Sequence, residues 1–494
     1  MNAVTTDSLP ARVGTLIVGT GFSGLAMAIH LKQAGIGDFA LVDKAADLGG
    51  TWRDNTYPGA ECDVASALYS YSFEHNADWH YRWAEQAQIL EYMHRVADKH
   101  DLAPALHFGR ELVAAQWDEA AAEWQVRFAD GAQLRCRFLV SAVGQLHHPA
   151  IPAIPGRVDF AGPAFHSAQW RHDVDLAGKR VAVIGNAASA LQLIPQVAQQ
   201  AANVTVFQRS ANWVLPKFDR PYKPWEQWLA DKLPLVSRLD RLRIWLIGDV
   251  LLYAIMKRNR WVSGAAERHA RRYLERCIAD PALRAKLVPD YPIGAKRILF
   301  SDNYFQALAR PNVEVVTDAI DAVDASGILC AGGRHVDADV IIYATGFRTN
   351  PFLAGMDIRG EGGRALTGHW RGGAHAWLGM LTAGFPNLFM MYGPNTNLGH
   401  NSILVMSEAQ ARWIVRCVQG LGQRGALAAA VRPEVEAAWN ETLQRRLADT
   451  AWNAIADSWY KDGGRITNNW PGPTFEYLRR CRRVDWSALR LTSA

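Results

Sequence analysis

Thr15-Leu16-Ile17-Val18-Gly19-Thr20-Gly21-Phe22-Ser23-Gly24 is a short apolar run that ends in a G-x-G-x-x-G turn. Leu25-Ala-Met-Ala-Ile-His-Leu-Lys32 follows with helical spacing, and a second apolar run, Phe39-Ala-Leu-Val42, ends at Asp43. Strand, glycine turn, helix and second strand together make the βαβ unit of a dinucleotide-binding fold. Gly19 permits the tight turn, Gly21 lets a pyrophosphate approach the backbone, and Gly24 allows helix and strand to pack closely. The amides at the helix start, those of Phe22 and Ser23 among them, then face the phosphates at the positive end of the helix dipole. Asp43, with Lys44 beside it, stands where an acid accepts hydrogen bonds from a ribose hydroxyl.

The same order of elements returns at Arg180-Val-Ala-Val-Ile184-Gly185-Asn186-Ala187-Ala188-Ser189-Ala190, with a following strand Val204-Thr-Val-Phe207. Ala190 at the third glycine position still allows tight helix packing. Ala187 at the second adds a methyl group where the backbone meets phosphate. The strand after this helix ends in Gln208-Arg209-Ser210 rather than in an acid. A cation and a hydroxyl there suit a 2′-phosphate, which predicts NADP over NAD. The competing reading is a structural repeat that has lost its ligand.

Outward from these two units, Trp124–Phe128 and Leu134–Val140 alternate as strands that close the first domain. Pro216 to Asp290 has helical spacing and reads as an insertion. Strand patterns resume at Val313–Val316 and Val340–Tyr343, leading into Ala344-Thr-Gly-Phe347. The expected fold is α/β: two nested Rossmann-like domains, for FAD and NADP, with a helical insertion. Residues 1–147 and 351–494 make the first domain, 148–215 and 291–350 the second, and 216–290 the insertion, with 160–170 as a linker.

Composition narrows the classes. Of 494 residues 49% are hydrophobic and 20% charged, as in a globular protein, and a net charge of +5 without a long Lys/Arg run argues against nucleic acid. Six cysteines without a CxxC pair argue against a disulfide scaffold, a metal site and a redox dithiol, and fit reduced cytoplasmic thiols. Met1 to Val13 lacks the features of a signal peptide. The apolar stretch Ile244–Met256 is short for a membrane span and carries Asp249, so no transmembrane segment is expected. It reads as one face of a packed helix. The alternative is weak membrane-surface contact, helped by Arg238, Arg241, Arg243, Lys257, Arg258 and Arg260.

Three further segments carry chemistry. They are Gly49-Gly50-Thr51-Trp52-Arg-Asp-Asn-Thr-Tyr57-Pro58-Gly59-Ala-Glu-Cys62-Asp63, Phe160-Ala-Gly-Pro-Ala-Phe-His166-Ser-Ala-Gln-Trp170, and Ala344-Thr-Gly-Phe347. With the opening motif, and in this order, they make the chain resemble class B flavoprotein monooxygenases of the Baeyer–Villiger type over nearly its full length. Trp170 favours that branch over relatives that oxygenate nitrogen or sulfur. Arg171 departs from the family, which usually shows Pro or Asp there.

The resemblance implies an NADPH- and O2-dependent enzyme that inserts one oxygen atom beside a ketone carbonyl, through a C4a-peroxyflavin, to give an ester or lactone. A fixed cation near the reacting oxygen suits this chemistry, and a guanidinium keeps its proton. By carry-over the cation is Arg297 of Lys296-Arg297, paired with Asp63, while Lys296 joins Arg209 and Ser210 at the 2′-phosphate. Without the resemblance Lys296-Arg297 reads as a solvated loop pair and Asp63 as a turn residue. The same carry-over assigns Gly50, Thr51, Trp52, Cys62, Tyr69, Leu112 and Asn401 to the flavin cofactor, the last in Gly393-Pro-Asn-Thr-Asn-Leu-Gly-His-Asn401-Ser402. Trp459, in Asp457-Ser-Trp-Tyr460, reads either as a residue near nicotinamide or as a core aromatic. His166 is expected to make structural hydrogen bonds rather than act as a base. The alternatives are a flavoenzyme that oxygenates nitrogen or sulfur, and an FAD-binding protein without catalysis. A ketone or sulfide is the expected small-molecule substrate.

Overall fold

The computed structural model describes residues 9–455 and 458–493. The strand Arg12–Val18 lies at the centre of an eight-stranded sheet. It pairs in parallel with Phe39–Val42 on one side and Gln133–Ser141 on the other. Leu112–Asp118, Glu123–Phe128 and Gln133–Ser141 form an antiparallel meander whose alternating side chains fill one core face. Asp357–Arg359 and Leu388–Met390 come from the far end of the chain and join this sheet. The helix Phe22–Gln33 is apolar on nearly every side because it is sandwiched between the sheet and the long helix Ile403–Gln423.

A second, five-stranded sheet is parallel throughout, in the order 313–316, 203–207, 180–184, 340–343, 164–166. Its strands are runs of Val, Ile and Ala, as expected when both faces are covered. The edge strand Ala164–His166 lies inside the segment expected to be a linker. That segment belongs instead to the second sheet: Trp170 packs edge-on against Phe165 at 5.2 Å, and His166 is fully buried. Three residues are too few for an alternating pattern to reveal a strand.

Between 216 and 290 the chain is helical, with helices Pro224–Lys232, Pro234–Ile247, Arg260–Cys277 and Pro281–Lys286. A π-helical turn at Gly248–Leu252 interrupts the apolar stretch. Asp249 in that turn is buried and accepts hydrogen bonds from Thr474 N–H and Oγ1, Phe475 N–H and Asn401 Nδ2. It therefore anchors the start of the helix Thr474–Arg480. Among the described residues no helix is long and apolar enough to cross a membrane.

Candidate active site

Both glycine turns end in helices whose first amides lack a side-chain partner. Gly21 precedes the helix Phe22–Gln33 and Ala187 precedes Ala188–Gln200; neither helix has a capping side chain or an acid in its first turn. Elsewhere Asn259, Asp280 and Ser402 cap their helices. Uncapped positive helix ends beside glycine turns fit the phosphates of two dinucleotides. Gly19 has φ +106°, and a Cβ on it would lie 2.5 Å from the Ala142 carbonyl oxygen. A Cβ on Gly24 would lie 1.9 Å from that of Gly19, whereas one on Gly21 would meet nothing closer than Gly50 Cα at 3.9 Å. The first and third glycines are thus demanded by the chain itself, and the second keeps space open beside Gly50 and Thr51.

Ala187 has an ordinary φ of −83°. Its methyl group needs no strained backbone. Asn186 does not reach outward: its Nδ2 donates to Gln208 Oε1 and to the Ser210 carbonyl, tying the turn to the end of the next strand. There Lys296 Nζ donates to Ser210 Oγ at 2.8 Å, with Arg209 nearby. Burial and then Arg209 hold the Lys296 ammonium below its ordinary pKa. No carboxylate lies within ion-pair distance of Lys296 or Arg209 among the described residues. Two cations and a hydroxyl converging without an ion-paired carboxylate suit a 2′-phosphate, although Asp290 pulls weakly the other way on Lys296.

Arg297 meets Asp63 through two contacts, Nη2 to Oδ1 at 2.7 Å and Nε to Oδ2 at 2.5 Å. About a third of each side chain is open (32% and 30%), although protein surrounds the pair on most sides. Burial works against the Arg297 charge, but Asp63, with Tyr460 and Tyr392, more than offsets it and leaves the guanidinium pKa raised. The pair is therefore partly open and carries a permanent cation. Burial pushes the Tyr460 hydroxyl up to about 12 despite the opposing pull of Arg297, so it stays neutral at working pH. Tyr392 is shifted the same way, and its hydroxyl donates to Asn397 Oδ1 at 2.6 Å. Sequence reasoning did not single out Tyr392 or Tyr460, since only the folded chain brings residues this distant beside Arg297.

Near the pair, Trp52 Nε1 donates to the Tyr69 hydroxyl at 3.1 Å, and burial pushes the Cys62 thiol and the Tyr69 hydroxyl well up. Trp459 is 40% exposed and lies against Tyr460 with ring centroids 4.4 Å apart. It is not a core aromatic. Asp457 lies outside the described residues.

Several expected cofactor residues turn out to be committed to the fold. The Phe22 ring is buried against Tyr69 and Tyr71, Ala190 is fully buried, and the Leu112 side chain sits in the core under the meander. Only their backbone remains for a ligand. Ser23 Oγ shares a hydrogen bond with Ser407 Oγ, and Lys44 faces Glu111. Asp43 accepts bonds from Thr20 N–H and Oγ1 and from Ala45 N–H, so a ribose hydroxyl would have to share an oxygen already in use. The Asn401 side chain is engaged within the chain: its Nδ2 donates to the Trp245 carbonyl and to Asp249, and its Oδ1 accepts from Ser402 N–H. Elsewhere, His369, His375 and Glu436 bring one donor atom each within 4.8 Å of one another. Glu436 spends both oxygens on Thr382 Oγ1 and Ala383 N–H.

His166 Nδ1 accepts from Ala168 N–H, and burial lowers its pKa, so the ring is a neutral brace beside Phe347. Arg171 pairs with Asp173 two residues on, at the exposed surface. Its departure from the family pattern stays local. The GxWxxxxYPGxxxD segment itself bridges the two cores. Trp52 and Cys62 pack into the core of the first sheet and Tyr57 and Ala60 into that of the second. Tyr57 OH donates to Gln192 Oε1 at 2.8 Å, Gln192 Nε2 donates to the Glu61 carbonyl, and a Cβ on Gly59 would lie 2.6 Å from the Gln192 carbonyl oxygen.

Comparison with known proteins agrees with this arrangement. Residues 16–228 match the family model described as pyridine nucleotide-disulphide oxidoreductase. The match covers the two nucleotide-binding units; the sequence has no CxxC, and Cys62, Cys136, Cys277, Cys330, Cys417 and Cys481 are all free. A Baeyer–Villiger monooxygenase of Streptomyces coelicolor is 42% identical over 97% of this chain and 92% of its own length. A steroid monooxygenase bound to NADP superposes with a TM-score of 0.87 at 31% identity, over 98% of this chain and all of that one. The OTEMO complex with FAD and NADP gives the same TM-score at 28% identity, again over 98% of this chain and all of that one. Two uncapped nucleotide cradles, a partly buried guanidinium clamped by the acid of the GxWxxxxYPGxxxD segment, and relatives matching end to end place the chain in the Baeyer–Villiger monooxygenase family.

Proposed function

We propose that the chain binds FAD at the first glycine turn and NADP at the second, and uses NADPH and O2 to place one oxygen atom beside a ketone carbonyl, giving an ester or lactone. Bound FAD, once reduced by NADPH, supplies the reduced flavin that reacts with O2. The observation that carries this reading is the Arg297–Asp63 pair, a cation that cannot lose its proton, held by two contacts at a partly open position. In a partly dry site such fixed charge stabilises an oxyanion without reorganising. Asp63 fixes the plane of the guanidinium and balances its charge. Tyr392 and Tyr460, both neutral, stand near the pair without adding charge to it.

In this reading Gly19, Gly21, Gly24, Gly50 and Thr51 approach the FAD pyrophosphate through backbone, joined by the amides of Phe22 and Ser23. Trp52, Cys62 and Tyr69 border the flavin. The amides of Ala187, Ala188, Ser189 and Ala190 face the NADP pyrophosphate, and Arg209, Ser210 and Lys296 take the 2′-phosphate. Trp459 lies toward the substrate and nicotinamide. The FAD domain comprises 1–147 and 351–494, the NADP domain 148–215 and 291–350, and the helical insertion 216–290.

The test is NADPH consumption by the yellow protein with a panel of ketones, amines and sulfides, with product identification. Ester from ketone supports the proposal. Oxygenated amine with untouched ketones would transfer it to nitrogen chemistry, and no flavin reduction by NADPH would refute both.

A further inference from the structure

The helix Pro234–Ile247 turns its apolar face away from the protein. Leu235, Leu239, Leu242 and Leu246 recur on one side of it, at 64, 56, 47 and 45% exposure. Its opposite side carries Arg241, whose guanidinium donates to the carbonyls of Ala67, Leu68 and Ser70 and faces Glu408. A helix packed by the hydrophobic effect would be mounted the other way round. After the π-helical turn, Val250 and Leu251 prolong the exposed face, and Trp225, Trp228 and Trp261 on the flanking helices are 58, 59 and 76% exposed. Of the nineteen exposed large apolar side chains among the described residues, thirteen fall between 218 and 261. Single exposed leucines are ordinary, whereas a continuous patch marks a contact surface.

The charge around the patch says what covers it. Lys232, Arg238, Arg243, Arg258 and Arg260 are exposed beside it. Residues 217–261 hold ten Lys or Arg against five Asp or Glu, a surplus equal to the net charge of +5 of the whole chain. A second copy would have to bring the same positive patch against itself, because a two-fold contact pairs a surface with its own image. An anionic lipid surface satisfies both features. Leucines enter the acyl boundary, tryptophans sit at the headgroup level, and cations meet lipid phosphates.

We infer that the helical insertion docks this protein onto the surface of an anionic bilayer, lying in the interface without spanning it. The helix, through the Trp245 carbonyl, and the π-helical turn after it, through Asp249, both touch Asn401. The docked face is thus one helix away from the loop Gly393–Ser402.

The experiment is flotation of the flavin-loaded full chain with vesicles of phosphatidylglycerol and phosphatidylcholine, and with phosphatidylcholine alone. Wild type is expected to float with the anionic vesicles and much less with the neutral ones, more weakly as salt screens the charges. Leu239→Glu with Leu246→Glu should lower the partition about a hundredfold or more, since two buried leucines are lost, while NADPH oxidation in solution stays unchanged. Should that variant fail to fold, Arg238→Glu with Arg258→Glu provides the second reading, with loss confined to the anionic vesicles. Wild type that stays in the aqueous layer overturns the inference, as does equal flotation of a folded variant. A dimer in light scattering that the leucine variant makes monomeric, with no flotation of either, assigns the face to a second copy and overturns it too.

Discussion

Asp63 and Arg297 stand 234 positions apart in the chain and meet in a two-pronged ion pair at 2.7 and 2.5 Å. Such a pair is worth more than its two halves, because removing either leaves the other charge without a partner in a partly buried place. Arg297→Ala is expected to leave flavin reduction by NADPH within a few-fold of wild type and to lower ester formation by roughly a hundred- to a thousandfold. Stopped-flow reduction and product analysis on one preparation measure both. Normal ester yield from this variant would remove Arg297 from the chemistry.

Asp63→Ala should cost about 1–3 kcal/mol of stability, less than for a fully buried pair because a third of each side chain is open. The double variant Asp63→Ala/Arg297→Ala should be no less stable than Asp63→Ala alone. Additive losses in thermal melts would show that the two side chains act independently.

Lys296 gives the site a pH dependence. Burial and Arg209 disfavour its ammonium, so it loses its proton at a lower pH than the ordinary 10.5. Its attraction for a 2′-phosphate is therefore present below that lowered value and fades as pH climbs through it, earlier than for an ordinary lysine. The KM for NADPH should rise on the alkaline side while that for NADH stays level, and Lys296→Arg should flatten the profile. Arg209→Ala should narrow the preference for NADPH over NADH. An unchanged ratio would refute a role in cofactor choice.

The second glycine turn yields a contrast. Gly185 has φ +112°, and a Cβ there would lie 2.3 Å from the Ala344 carbonyl oxygen. Gly185→Ala should cost about 2–4 kcal/mol, through strain and a backbone clash. Ala187→Gly, at an ordinary φ, should shift stability by no more than about 1 kcal/mol. Calorimetry on the two variants checks both values.

The glycine turns and the parallel strands beside them were legible because each rests on residues adjacent in sequence, and the ion pair because the resemblance to a known family implied it. What escaped was set by distance along the chain. Nothing near Tyr392 announces that it will come close to Tyr460 and Arg297, and nothing near Asn401 reveals that Asp249 will claim its amide. Phe22 and Leu112 stand at the right places in their motifs, yet side-chain direction gave them to the core and left only their backbone for a ligand. The apolar stretch before Met256 displayed its amphipathic period openly. Which side faces water depended on Arg241 finding three carbonyls that belong to residues 67–70.

Gly59 lacks one methyl group, and the Gln192 carbonyl lies where it would have been. At that spot the units that cradle the two nucleotides touch backbone to backbone, with Tyr57 and Glu61 pinned to the same glutamine on either side. A side chain placed there would meet that carbonyl and press the two units apart where they are pinned together.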